Sequence, residues 1–486
     1  MLPLFLRPSA ATALATVLGA LLLGGCATFS PDGGFDAVES IAKERLNKEV
    51  TWIRSAADAG RVQERVKELL AGPLSVDDAV QVALLNNRGL QAVYSDLGIS
   101  EANLVQAGRL RNPGFSYSRA TGGGERKIES LVTFDFLQLL TMPTVLKIEG
   151  RRFEQAKLYV ANEVLGIGAE TQRAYYETLA AEQTAAYLEQ VKTAAEAGAE
   201  LARRMAAAGN WSRLDQAREQ VFYAEATARL ARARQAAVSQ RERLTRLLGL
   251  WGGDIAFKLP EHLPEIPAEK PELKDLEVLA ISRRLDIRSA RHETEALAES
   301  LGLTRATRFI NVFELGDFRT TETPGPEKRG YAIILEVPLF DWGGARVAMA
   351  ESMYMQAVNR LAETAIGARS EVRVAYSAYL TAYDLAKHYQ DEIVPLRKKI
   401  SEENLLRYNG MLISAFELLA DAREQVASVN ATIEALRSFW VADADLKMAL
   451  AGAPSTGQAG HLMREPGPGG AAQLDPRRRS EKGGQR

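Results

Sequence analysis

Few residues in this chain have the types and spacings that do chemistry. The four histidines, His262, His292, His388 and His461, lie far apart, and no pair has metal-ligand spacing. The single cysteine, Cys26, excludes an intramolecular disulfide and any Cys-x-x-Cys redox or zinc motif. The glycine run at residues 122–124 lacks the Lys-Ser/Thr continuation of a phosphate-binding loop, and neither a serine elbow nor a His-Glu-x-x-His motif occurs. An enzyme is therefore the least supported class. A formal charge of -2 gives no bulk electrostatic case for nucleic acid, and the Arg477-Arg478-Arg479 run reads as solvated.

The chemistry that remains is attachment to a membrane. Residues 1–25 have one early basic residue, Arg7, then an apolar core at 11–23 and small residues, a secretory leader too short to span a bilayer. Leu23-Gly24-Gly25-Cys26 resembles a bacterial lipoprotein cleavage box, which implies acylation of Cys26. A covalent lipid there is the only cofactor expected, each buried methylene adding about 0.8 kcal/mol of anchoring. The resemblance implies an envelope location, and Ala27 fits outer-membrane sorting.

The elements behind these residues are long helices. Residues 347–408 carry helix-favouring Ala, Leu, Met, Glu, Arg and Gln with one internal proline, Pro395. At 1.5 Å per residue that run reaches roughly 90 Å, beyond any ordinary globular need. Its first-half counterpart runs over 145–208, stops at Gly209, and resumes after the N-cap Ser212 to 248. A final helix runs over 414–450 after Gly410. Shorter helices are expected over 75–110 and 280–308, each followed by two alternating strands: 115–119 with 127–136, and 309–315 with 331–337. Pro143 and Pro338 mark the strand-to-helix transitions.

The chain is duplicated. Pro143 answers Pro338, Gly209 answers Gly410, and Ala217-Arg-Glu-Gln220 answers Ala422-Arg-Glu-Gln425, at offsets of about two hundred residues. The organisation is a leader at 1–25, a linker with short helices of no assignable role at 26–73, a first repeat at 74–258, a linker at 259–270, a second repeat at 271–452, and a disordered tail at 453–486. Four strands cannot close a membrane barrel, which starts at about eight, so the strands pair with other copies or stay out of the membrane. Three copies would supply twelve.

Over roughly residues 70–452 the chain resembles the TolC family of outer-membrane efflux channels. The matching pieces are Leu74-Ser75 with Asp78-Ala79-Val80, Ala83-Leu84 with Asn87, Asn112-Pro113, Arg284-Leu-Asp-Ile287, Val337-Pro-Leu-Phe-Asp-Trp-Gly-Gly344, and Tyr408 with Gly410, Ser414 and Glu417-Leu-Leu419. Arg88 departs from the pattern, standing where the family often has proline. The resemblance implies a mainly α chain with a small β part, whose long coiled helices form an α-barrel and whose four membrane strands close a 12-stranded β-barrel in a homotrimer. It also implies a periplasmic adaptor protein and an inner-membrane pump as partners, outer-membrane lipid around the barrel, and a passive exit duct.

In that family acidic residues ring the aperture at the helix tips. Carried over, Glu417 takes the acidic position, the next falls on Ala420 with Asp421 beside it, and Asp215, three residues after Ser212, corresponds in the first half. Such a ring would favour cations. Alternatively these are ordinary helix charges, with Arg423 or Arg218 offsetting Glu417 and Asp421. The competing function is a periplasmic coiled-coil scaffold or adaptor lipoprotein with no membrane barrel.

Overall fold

The structure is a computed structural model that describes residues 28–270, 275–323 and 325–452. The leader, Cys26 and the tail at 453–486 lie outside the described residues. The described residues belong to one compact unit, which holds every element below.

Two short helices come first, α1 (Phe35–Leu46) and α2 (Ala56–Leu70). Ser55 and Asp58 form a reciprocal capping box that starts α2. These elements give the 26–73 segment a role. Phe35, Val38 and Ala42 bury against Leu90, Tyr94, Leu158 and Val164, and Phe35 meets Tyr94 edge to face at 5.0 Å. Each such large side chain contributes about 1.5–3 kcal/mol.

The first repeat then runs α3 (Val76–Asn86), α4 (Arg88–Ala107), β1 (Gly114–Gly122), β2 (Glu125–Asp135), α5 (Phe136–Ala207) and α6 (Arg213–Leu248). The second repeats the order as α7 (Leu276–Arg283), α8 (Leu285–Thr307), β3 (Phe313–Thr323), β4 (Lys328–Leu335), α9 (Gly344–His388), α10 (Val394–Asn409) and α11 (Ala415–Ala451). The 72 residues of α5 span about 110 Å.

Four expectations change. The helix expected over 75–110 is two helices, broken at Asn87, whose φ/ψ of -65°/118° is extended. Its side chain caps Leu90 N at 3.0 Å, and its Nδ2 donates to Leu247 O at 2.9 Å, so a polar residue turns the chain where helix propensity alone would continue it. Arg284 makes the same break in the second repeat, at -62°/129°.

Pro143 is no strand-to-helix transition: it lies inside α5, which starts at Phe136 because Asp135 caps Gln138 N at 2.9 Å. Pro338 does stand in the transition, bridged by a Leu339 N to Val337 O bond of 2.9 Å that makes a tight three-residue turn.

The strands are longer than the alternating segments suggested, because Gly123 and Gly124 at φ +59° and +86° allow a two-residue hairpin between β1 and β2. β3 and β4 likewise reach to Thr323 and back from Lys328.

The run at 347–408 carries a π-turn at Tyr389–Ile393, with Val394 N bonding to Tyr389 O. Pro395 follows. It lacks an N–H, and its ring would crowd the carbonyl four residues back, which the wider turn relieves. No such interruption occurs in α5 around Val191.

The core sits midway along the long helices. Leu74, Ala79, Val82 and Ala83 pack on Tyr175, Tyr176 and Leu179 of α5 and on Leu244 and Leu248 of α6. The linker is strapped across the second repeat, with Trp440 Nε1 donating to Pro264 O at 3.0 Å and Tyr383 Oη to Pro267 O at 3.1 Å. Arg284, 1% exposed, bonds Asp286 and Glu371 at 2.6 Å each and Ala449 O at 3.2 Å, tying the α7–α8 break to α9 and α11. Among the described residues no helix is long and apolar enough to cross a membrane.

Candidate functional site

Two regions carry the functional geometry: the helix tips at one end of α5 and the sheet at the other. At the first tip α5 ends in a Schellman closure, with Asn210 N bonding to Met205 O at 2.9 Å and Gly209 N to Ala206 O at 3.1 Å. Gly209 takes the left-handed φ of +79° that this closure needs. Ser212 Oγ then accepts from Asp215 N at 3.1 Å and donates to its carboxylate at 2.7 Å.

The second tip repeats the closure one residue later than expected. Leu412 N bonds to Arg407 O at 2.8 Å and Met411 N to Tyr408 O at 2.9 Å. Met411 therefore occupies the left-handed position at φ +61°, while Gly410 sits at -80° in ordinary right-handed space. The structural counterpart of Gly209 is Met411, not Gly410. Ser414 and Glu417 then form a full capping box: Ser414 N donates to Glu417 Oε2 at 2.8 Å, and Glu417 N donates to Ser414 Oγ at 3.2 Å.

The three carboxylates are in different electrostatic states. The backbone N–H of Ser414, then its hydroxyl, hold the exposed Glu417 carboxyl below the usual glutamate range. Arg218 Nη1 pairs with Asp215 at 3.2 Å and offsets its charge. Asp421 has one carboxylate oxygen, Oδ2, buried without a hydrogen-bond partner.

Arg218 pairs along its own helix, with Asp215, but Arg423 does not. Arg423 pairs with Glu219, which is buried on α6, and stacks over Phe222 at 4.7 Å. Neither Arg423 nor Arg218 offsets Glu417 or Asp421. Arg218 also lies over Phe416 at 5.4 Å, so the first turns of α6 and α11, and with them the two caps, stand side by side. Glu219 was missed in the sequence because its motif reads only as a repeat. Its signal was that the two copies of Ala-Arg-Glu-Gln let the arginine of one meet the glutamate of the other.

At the other end the strands form one antiparallel sheet in the order β1-β2-β3-β4, and the β2–β3 pairing joins the two repeats from Arg126 with Thr323 to Asp135 with Glu314. β1 and β4 are its unpaired edges. Cross-strand pairs share a face. One face therefore carries Phe313 with Leu335, then Phe134, Leu315 and Ile333, then Phe115, Val132 and Tyr331. The opposite face carries Ser116, Ser118, Thr133, Gly316, Thr320, Glu129 and Lys328 among others. The apolar face is the open one, with Phe115 71% and Tyr331 81% exposed, whereas Thr320 on the polar face is buried. The largely apolar face is therefore the outward one, and the face with Thr320, where Leu131 and Phe318 also lie, the inward one.

The family model described as outer membrane efflux protein matches residues 276–441. Over 287 residues the chain is 25% identical to the cobalt-zinc-cadmium resistance protein CzcC of Cupriavidus metallidurans, covering 56% of this chain and 64% of that protein, just under two thirds of its length. The fold matches the outer membrane protein VceC of Vibrio cholerae at a TM-score of 0.63 and 17% identity, over 78% of this chain and 96% of that one. It matches the open state of the Neisseria gonorrhoeae outer membrane channel MtrE at 0.63 and 18%, over 78% and 89%.

Proposed function

We propose that this chain, which belongs to the outer membrane efflux protein family, is one third of a passive outer-membrane exit duct. Three copies pair β4 of one with β1 of the next, closing a twelve-stranded barrel. The long helices below them form a periplasmic tunnel that receives cargo from an inner-membrane pump through a periplasmic adaptor. Cys26 carries the lipid that anchors each copy. The tunnel wall does no chemistry, and the energy comes from the pump.

One observation carries this reading: a four-stranded sheet whose two edges are unpaired and whose outward face is largely apolar over the tiers nearest the helices. Alone in water such a sheet would expose both a grease patch and two hydrogen-bonding edges. In lipid it would leave the edge groups unsatisfied at several kcal/mol each. Closure with other copies removes both costs.

At the tunnel mouth Glu417 is the proposed aperture charge, since its carboxylate is exposed and no arginine neutralises it. Asp215 is offset by Arg218 and contributes less, and Asp421, with one oxygen buried, shapes the inner turn rather than the rim.

The native mass of the full chain purified in detergent tests the assembly. Three chains per particle are expected. A monomer that stays dispersed without detergent once Cys26 is replaced would instead support the periplasmic scaffold.

A further inference from the structure

The outward face of the sheet changes character along the strands. Beyond the tier of Phe115, Val132, Asp317 and Tyr331 comes a tier of Tyr117, Ser130, Arg319 and Arg329, then Arg119, Ile128 and Thr321, then Thr121, Arg126 and Thr323. Four arginines therefore occupy the hairpin end of the outward face. With strands about 4.8 Å apart and same-face residues about 6.8 Å apart, they fall within a patch of roughly 14 Å by 14 Å.

The two faces differ in the cation they carry and in how far it is neutralised. On the inward face Lys127 pairs with Glu129 at 2.7 Å and Lys328 with Glu322 at 2.9 Å, which cancels locally. On the outward face Arg319 and Arg329 stand directly opposite each other, a repulsive placement that Glu327 relieves by bonding both, at 2.8 Å and 3.1 Å. Arg119 and Arg126 are exposed and have no ion-pair partner among the described residues. The outward patch thus keeps an excess of positive charge, held entirely by arginine. Arginine presents a planar fork that grips phosphate with two parallel hydrogen bonds, while lysine does not.

We propose that this arginine tier binds the phosphate groups of anionic lipid headgroups at the rim of the barrel. The inference rests on the barrel reading, because only there does this face meet lipid. The apolar tiers would sit against acyl chains, and Tyr117 and Tyr331 would stand at the boundary where amphipathic rings settle. The arginines then lie at headgroup level, where an anionic lipid neutralises them. In the trimer the tier repeats three times around the barrel.

The test uses the full-length protein in a neutral detergent with a lipid bearing phosphate monoesters, phosphorylated lipid A, beside the same glycolipid with its phosphates removed. Bound lipid is counted by native mass spectrometry. The wild type should retain the phosphorylated lipid about tenfold more than the phosphate-free one. Millimolar inorganic phosphate should not displace it, which separates a headgroup site from a free-phosphate site. A chain carrying R119Q, R126Q, R319Q and R329Q should lose the preference, and one carrying K127Q and K328Q should keep it. Equal retention of the two lipids by the wild type overturns the proposal and needs no variant that folds. Conductance in phosphatidylcholine bilayers is the separate arm. Channels there without lipid preference remove the arginine tier alone, and no channels remove the barrel beneath it.

Discussion

The guanidinium of Arg423 on α11 pairs with the carboxylate of Glu219 on α6, and Glu219 is only 1% exposed. The two residues come from the two copies of one four-residue motif, so the duplication closes on itself near the tips. Gly198 of α5 packs beside the pair, where an added Cβ would stand 3.7 Å from Leu419 and 3.8 Å from the Glu219 carboxylate. Removing one member of a buried pair strands the other, at about 3 kcal/mol. Glu219→Ala should therefore lower stability by about that much in urea unfolding, while Glu219→Met with Arg423→Met should recover most of it. A double variant no better than the single one would mean that the pair's geometry, not its charge, is what matters.

Arg88 is the first residue of α4, exposed and preceded by Asn87 in an extended conformation. That is the one helical position where a missing N–H costs nothing and a fixed φ helps. Arg88→Pro should raise unfolding free energy by about 0.5–1 kcal/mol. The departure from the family pattern at this position thus forgoes a small conformational gain, and a destabilised R88P protein would show that the N–H or side chain has a partner in the assembly.

The two tips respond oppositely to alanine. At Gly209 a Cβ meets nothing within 4 Å, but the left-handed backbone itself costs about 1 kcal/mol for any other residue. At Gly410, with φ of -80°, the nearest atoms to an added Cβ are 3.5 Å away, so Gly410→Ala should be neutral or stabilising by up to about 1 kcal/mol. Amide hydrogen exchange across each tip reads the difference. Equal effects at both would contradict the assignment of Met411 as the left-handed residue.

Much of this was legible in the sequence. Serine caps, glycine stops and the two-hundred-residue offset are local signals, and Ser212, Ser414 and Gly209 do in the structure what their types require. What was not legible depended on tertiary partners. Nothing near Asn87 marks a helix break until Leu247 of α6 supplies the carbonyl its side chain needs. Pro143 looked like a boundary because proline starts helices, yet Asp135 caps earlier and α5 absorbs the proline. The arginine pairings at the tips were assigned along single helices, whereas Arg423 pairs across to the other repeat. The outward arginine tier appears only once the strand register is known.

The cap of Glu417 carries a pH signature. Its carboxyl is depressed in the folded chain by the Ser414 N–H and hydroxyl, so its stabilisation is complete above the unfolded value of about 4.3 and is lost as pH falls through the lower folded value. Glu417→Gln should flatten that acid-side loss at the second tip, followed by hydrogen exchange of the first turn of α11. In bilayers at neutral pH, Glu417→Ala should reduce cation selectivity. Unchanged selectivity and conductance would leave Glu417 a helix cap and no more.

If four strands from each of three chains make one transmembrane pore, single-channel recording of the full-length protein in a planar bilayer shows it most directly. Discrete, long-lived ohmic steps, abolished by proline substitutions placed in both edge strands β1 and β4, are the predicted result. A chain that adds no current at any protein concentration, and whose edge-strand proline variants behave like the wild type, would contradict it.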